Sequence, residues 1–195
     1  MIGTTSISAF AVNRLNGELV PADLELLLPH NDELFELTGI RLQSQKEWAP
    51  WLDTSYLTAR ELTDPDLTAH WLATCKVCSM IAFVAAEEHG QYLGYWRGPQ
   101  KRPIFTSPIV VLDGESQFGV CPGSCFAEAL LSRVSGEELF LELREFLRAL
   151  GLPFSHRTPD DIPYLDVKPT PDALQNEFYV YYRTMSVPGQ GTDTV

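Results

Sequence analysis

The chain has 195 residues, 45% hydrophobic and 21% charged, with 26 acids against 14 bases and a net charge of −12. That length accommodates one domain with a sizeable core, and the composition excludes collagen-like, repeat and disordered chains. The charge argues against a nucleic-acid binder, which neutralises phosphates with Lys and Arg, and is compatible with a basic protein partner.

The opening MIGTTSISAFAVNRLNGELV lacks the basic and continuous apolar regions of a signal peptide, and no run of 18 apolar residues follows. A cytoplasmic protein without a membrane partner is expected. TTSISAFAV, with β-branched and apolar residues ahead of the turn signal Leu15-Asn16-Gly17-Glu18, predicts a first strand or hairpin. Asn31 is placed to cap a helix through DELFELT, with Leu34 and Phe35 inward and Gly39 as its left-handed stop. KEWAPWLDTSYLTARELT, interrupted by Pro50, reads as irregular structure packing Trp48, Trp51 and Tyr56 onto the core. Asp64 and Pro65 open a helix, PDLTAHWLAT, with an apolar stripe of Leu67, Trp71 and Leu72 and with His70 beside it at the surface or hydrogen-bonded.

The middle of the chain carries the strongest pattern. SMIAFVAAEE reads as a buried strand, His89-Gly90 as a tight turn, and QYLGYWRG as the returning strand. After the connector GPQKRP come a third strand, SPIVVLD, a turn, DGES, and a fourth strand, QFGVC, which together form an antiparallel meander. Ser124 is placed to cap CFAEALLSRV, with Phe126, Leu130 and Val134 on one face. Ser135-Gly136-Glu137-Glu138 reads as a capping box opening a helix whose face is Leu139, Leu143, Phe146, Leu147 and Leu150, and which Gly151 and Pro153 stop. The predicted architecture is α+β: a meander of four or more strands with helices packed on one face. Residues 153–171 form a proline-rich ordered excursion, EFYVYYRTM predicts a late strand, and SVPGQGTDTV predicts a frayed tail. One domain over residues 1–187, with 188–195 as the flexible tail, follows from this division.

Chemistry is sparse. Cys75/Cys78 and Cys121/Cys125 have spacings that could serve a tetrahedral zinc. A flat meander separates them by three strand spacings, about 14 Å, whereas thiolates sit about 2.3 Å from zinc. Small buried thiols are therefore the preferred reading, with no metal and no cofactor; a zinc-stabilised or Cys-dependent enzyme domain is the alternative. There is no G-x-S-x-G, H-E-x-x-H, P-loop or G-x-G-x-x-G motif. His30, His70, His89 and His156 form no cluster, and Glu87-Glu88 and Asp160-Asp161 read as solvated charges. No catalytic residue is assigned, and a non-enzymatic domain is expected. Arg97, Lys101 and Arg102 are too few to track phosphates and should pair with the chain's own carboxylates.

GYWRGP, PIVVLDGESQFGV and SCFAEALL resemble the central signature of the SUKH superfamily, which contains fungal cell-wall-assembly regulators and many bacterial immunity proteins. The resemblance covers roughly residues 80 to 135, and Leu28-Pro29 ahead of NDELFELTG is the candidate for the family's N-terminal Leu-Pro motif. The turn departs from the pattern, with Gly114 ahead of Glu115, and residues 136–195 lie beyond what aligns. The resemblance implies an α+β binding protein, with bacterial members neutralising a toxin, often a nuclease. An acidic protein suits that role by mimicking the polyanion a nuclease holds. Trp96, Arg97 and Glu115 are the partner-binding candidates, because they lie in the most recognisable stretch.

Overall fold

The computed structural model describes residues 6–55 and 57–185. The apolar middle of the chain forms a five-stranded antiparallel sheet in the order β1 (Ile40–Leu42), β2 (Ile81–Glu87), β3 (Tyr92–Trp96), β4 (Ile109–Leu112) and β5 (Phe118–Val120). The four expected strands are β2 to β5, and β1 adds an edge, with Ile40 opposite Glu87 and Leu42 opposite Ala85. Asn31 holds that edge: its Oδ1 accepts from Leu42 N at 2.7 Å and its Nδ2 donates to Leu42 O at 3.0 Å. It is therefore not the expected helix cap, a position His30 occupies. The register of β2 on β3 shifts between Phe83 and Ala85, so Val84 and Ala85 both face one side of the sheet. Gly94 lies across from Phe83, where a Cβ would come within 2.7 Å of Ala82 O and the Phe83 Cα. Only glycine permits this approach.

The helices are α1 (Ile7–Arg14), α2 (Ala22–Leu27), α3 (Asn31–Thr38), α4 (Pro65–Cys78), α5 (Phe126–Arg133), α6 (Glu137–Ala149) and α7 (Pro171–Met185). Strand alternation sends Ala82, Leu93, Tyr95 and Ile109 into one core, where Phe10, Leu24, Leu34, Phe126 and Phe140 meet them from α1, α2, α3, α5 and α6. Phe83, Trp96, Val110 and Leu112 point the other way, against Val77 and Cys78 of α4 and Leu174 of α7, with Trp48, Trp51 and Phe178 alongside. The α+β meander with helices packed on the sheet is as predicted, and the second face is covered as well as the first.

That second cover corrects the late strand, because EFYVYYRTM lies within α7. Pro171 stands in its first turn, Thr170 Oγ1 accepts from Ala173 N at 3.4 Å, and Pro171, Leu174, Gln175 and Phe178 recur on one inward side. Aromatic and β-branched content gave way to that 3.6-residue period. The first strand is corrected likewise for the described residues: Ser6 accepts from Ala9 N at 3.1 Å and caps α1, burying Phe10. Thr4 and Thr5 lie outside the described residues, as do Tyr56 and the tail 186–195.

Several caps and faces differ in detail. The inward side of α4 is Ala69, Ala73, Thr74, Val77 and Cys78, small residues that bring α7 close, while Leu67 is 46% exposed. Asp64 caps α4 as expected, accepting from Asp66 N and Leu67 N. Helix α5 starts at Cys125 as its cap; its Ala127 N donates at 2.9 Å to Asp23 Oδ2, a buried carboxylate from α2. Ser124 does not cap it. The expected capping box of α6 does not form, since Gly136 with φ +92° is its cap and no side chain bonds there. Phe140, Leu143 and Leu147 are its buried residues, with Phe146 and Leu150 packed beside them, and Leu139 is half-buried.

Candidate functional site

The three partner-binding candidates are not brought together. Trp96 is 0% exposed, and its Nε1 donates to Pro169 O at 3.0 Å, which ties the proline-rich excursion to the sheet. Its ring lies in the core and presents no surface, so its expected place at a partner surface is corrected. Arg97 follows at the same end of β3; its Nη2 pairs with Glu18 and its Nε donates to Arg102 O at 2.9 Å. Glu18 also accepts from Ile104 N at 3.0 Å, so it clasps both sides of the basic connector. Glu115 is exposed at the turn after β4, where its Oε2 accepts from Gln117 Nε2 at 3.2 Å. Because Tyr92 pairs with Leu112 and Tyr95 with Ile109, Arg97 and Glu115 occupy opposite ends of the β3–β4 pair.

The cysteine pairs also diverge. Cys121 and Cys125 belong to the core under α5, while Cys78 belongs to the core under α4, so the sheet stands between the pairs. Among the described residues no three His, Cys, Asp or Glu side chains are grouped to hold a metal. All four cysteines are free, and burial is the largest influence on each thiol, pushing Cys125 up to about 12 and raising Cys75, Cys78 and Cys121 as well. A thiol held protonated is a poor nucleophile. This arrangement does not fit the zinc or thiolate alternative.

Sequence spacing missed a partly buried polar cluster at the start of α5. Glu128 accepts from Ser124 N at 2.7 Å and Ser124 Oγ at 2.8 Å through one oxygen, and its other oxygen accepts from His156 Nε2 at 2.7 Å. Burial alone would raise the Glu128 carboxyl, but these hydrogen bonds together hold it below its ordinary value. A Ser–His–carboxylate triad needs the imidazole in the middle. Here the carboxylate is central, so the cluster fastens the 153–162 segment to α5. The partners are 28 residues apart, beyond any local pattern. Glu87, expected in solvent, instead pairs with Arg133 at 2.8 Å with both side chains mostly covered.

Several of the chain's arginines are held by its own carbonyls. Arg14 donates to Phe83 O, Gln45 O and Trp48 O, Arg102 to Lys168 O, and Arg144 to His156 O. The excess acid is left outward. Helices α3 and α6 pack against each other, and their exposed carboxylates include Glu33 and Glu36 on α3 and Glu137, Glu138, Glu142 and Glu145 on α6. Glu145 pairs with Arg148 and Glu33 with His30. No helix among the described residues is long and apolar enough to cross a membrane. Comparison of the chain with family models, curated proteins and solved structures found no match.

Proposed function

We propose that the chain is a non-enzymatic binding module of SUKH type, acting in the cytoplasm as an immunity protein that sequesters a basic, nuclease-type toxin. The observation that supports this reading is the division of charge: Arg14, Arg97 and Arg133 turn inward onto carbonyls and carboxylates, and Glu36, Glu137, Glu138 and Glu142 stand exposed on two adjacent helices. Such a surface accelerates encounter with a basic partner and disfavours acidic ones. Because Trp96 is core and Arg97 is clasped by Glu18, this reading moves the contact surface from the β3 end to α3 and α6.

The test looks for a neighbouring gene that encodes a large secreted protein with a basic C-terminal domain, and titrates that domain against the purified chain. Association at low salt is expected, with an on-rate that falls steeply as salt rises. Combined Glu137→Lys, Glu138→Lys and Glu142→Lys substitution should slow association about 10- to 100-fold while leaving the off-rate little changed. Absence of association at low salt, or indifference to the charge reversal, overturns the reading.

A further inference from the structure

Two adjoining clefts at the α4–β2 junction run against the charge of the molecule. The first, about 580 Å³, has Lys76, Arg97 and Lys101 on its walls; the second, about 340 Å³, has Arg14, Lys46, Trp48 and Trp51. They share the walls Asn16, Ser79, Ile81 and Ala82, so one ligand can occupy both. Their volumes lie in the range of small-molecule sites. Among the described residues no Asp or Glu lines either cleft, in a chain with 26 acids and 14 bases.

The cations there differ in how they are held. Arg14 is fixed by three carbonyls and lies 4.9 Å from the Trp48 ring centroid, so no carboxylate neutralises it. Arg97 is paired with Glu18. Lys46, Lys76 and Lys101 are exposed, and none of their side chains has a hydrogen-bond or ion-pair partner among the described residues. Lys101 is carried at φ +53° on a loop closed by Lys101 N to Gly98 O and Arg102 N to Arg97 O. The carbonyls that end α4 do not compete for these cations: Cys75 O, Lys76 O and Val77 O already accept from Ser79 N, Ser79 Oγ and Met80 N.

We propose that these clefts bind a nucleoside polyphosphate, with its phosphates between Lys76 and Lys101 in the first and its base in the second, against Trp48 and Trp51. Free lysines supply mobile point charges suited to phosphate. Half-buried indoles held edge-to-face, with centroids 5.3 Å apart, offer apolar area to a flat ring.

Isothermal titration calorimetry of the full chain with ATP at low ionic strength tests this, with inorganic pyrophosphate and adenosine as separate arms. ATP should bind with a saturable heat and a change in tryptophan emission, and more tightly than either pyrophosphate or adenosine. Lys76→Ala and Lys101→Ala should each weaken ATP about 10-fold, and Trp51→Phe should weaken ATP while leaving pyrophosphate unchanged. Both lysine side chains are exposed and without a partner among the described residues, so circular dichroism should show each variant folded. Lys168→Ala, which removes a lysine paired with Asp166 elsewhere on the surface, should change nothing. No saturable ATP binding, or a loss in Lys168→Ala equal to that in Lys76→Ala, overturns the proposal, as does adenosine binding as tightly as ATP. Pyrophosphate binding as tightly as ATP overturns the assignment of the second cleft to the base.

Discussion

Glu128 shows how much one side chain can carry. It accepts three hydrogen bonds, two from Ser124 and one from His156, and so joins the start of α5 to a segment without regular structure. Hydrogen bonds to a charged acceptor contribute about 1.5–3 kcal/mol each. Glu128→Gln keeps the shape, loses the charge, and should lower stability by about 1–3 kcal/mol in urea unfolding at neutral pH. The pH dependence follows from the direction of the shift. Folding favours the ionised carboxylate, so its contribution is complete above the ordinary glutamate value of 4.5 and is lost as pH falls through the lower folded value. The variant should therefore lose stability less steeply than the parent below about pH 4.5. Equal acid slopes would show that the cluster does not hold the fold together. None of this was legible in FAEALLSR and SHRTPDD read separately, because the bond joins positions that only the folded chain brings together.

Among the elements, α1 and α7 are helices where strands were expected, and α7 is the longer of the two. Its second half, EFYVYYRTM, is β-branched and aromatic, and the helical period appears only when TPDALQN is read with it. Gln175 then reaches across: its Nε2 donates to Thr74 Oγ1 at 2.8 Å on α4 and to Ser116 O at 2.9 Å in the turn before β5. Glu177 is exposed in the middle of this helix. Glu177→Pro should cost about 3 kcal/mol, by removing one helical bond and colliding with the preceding turn, while Glu177→Ala should be nearly neutral. An edge strand would tolerate the proline far better, so denaturant midpoints of the two variants distinguish helix from strand. By contrast, β2 to β5 were legible because their signals are local: a buried apolar run, a His-Gly turn, a proline-bounded connector and a short Asp-Gly turn.

For the whole molecule, the sequence conveyed the meander and the excess of acid, and did not convey that the sheet is covered twice. Alternation along the strands left a clue. In β3, Leu93 and Tyr95 enter one core while Tyr92 and Trp96 enter the other, so both sets are apolar and neither suits water. A strand apolar on both sides is one buried on both sides. The candidate residues chosen from the resemblance fell at opposite ends of the sheet, since conspicuous residues such as Trp96 are conspicuous for packing. The acidic layer was invisible for the reverse reason: glutamates dispersed over α3 and α6 become neighbours only when those helices pack together.

The double cover also sets a timetable. A ribosome releases the meander and the helices of the first face well before α7, which forms the last stretch of the described chain. Until then Trp96, Val110 and Leu112 lack the cover that Leu174 and Phe178 of α7 supply, and the anchor from Trp96 to Pro169 has not yet been made. A nascent chain halted at Lys168 should accordingly bind the dye ANS and unfold without a sharp transition, whereas the 195-residue chain should do neither. Synthesis thus leaves a sticky intermediate whose lifetime is set by how fast α7 emerges, and a stop codon ahead of α7 would do more harm than the removal of one helix suggests.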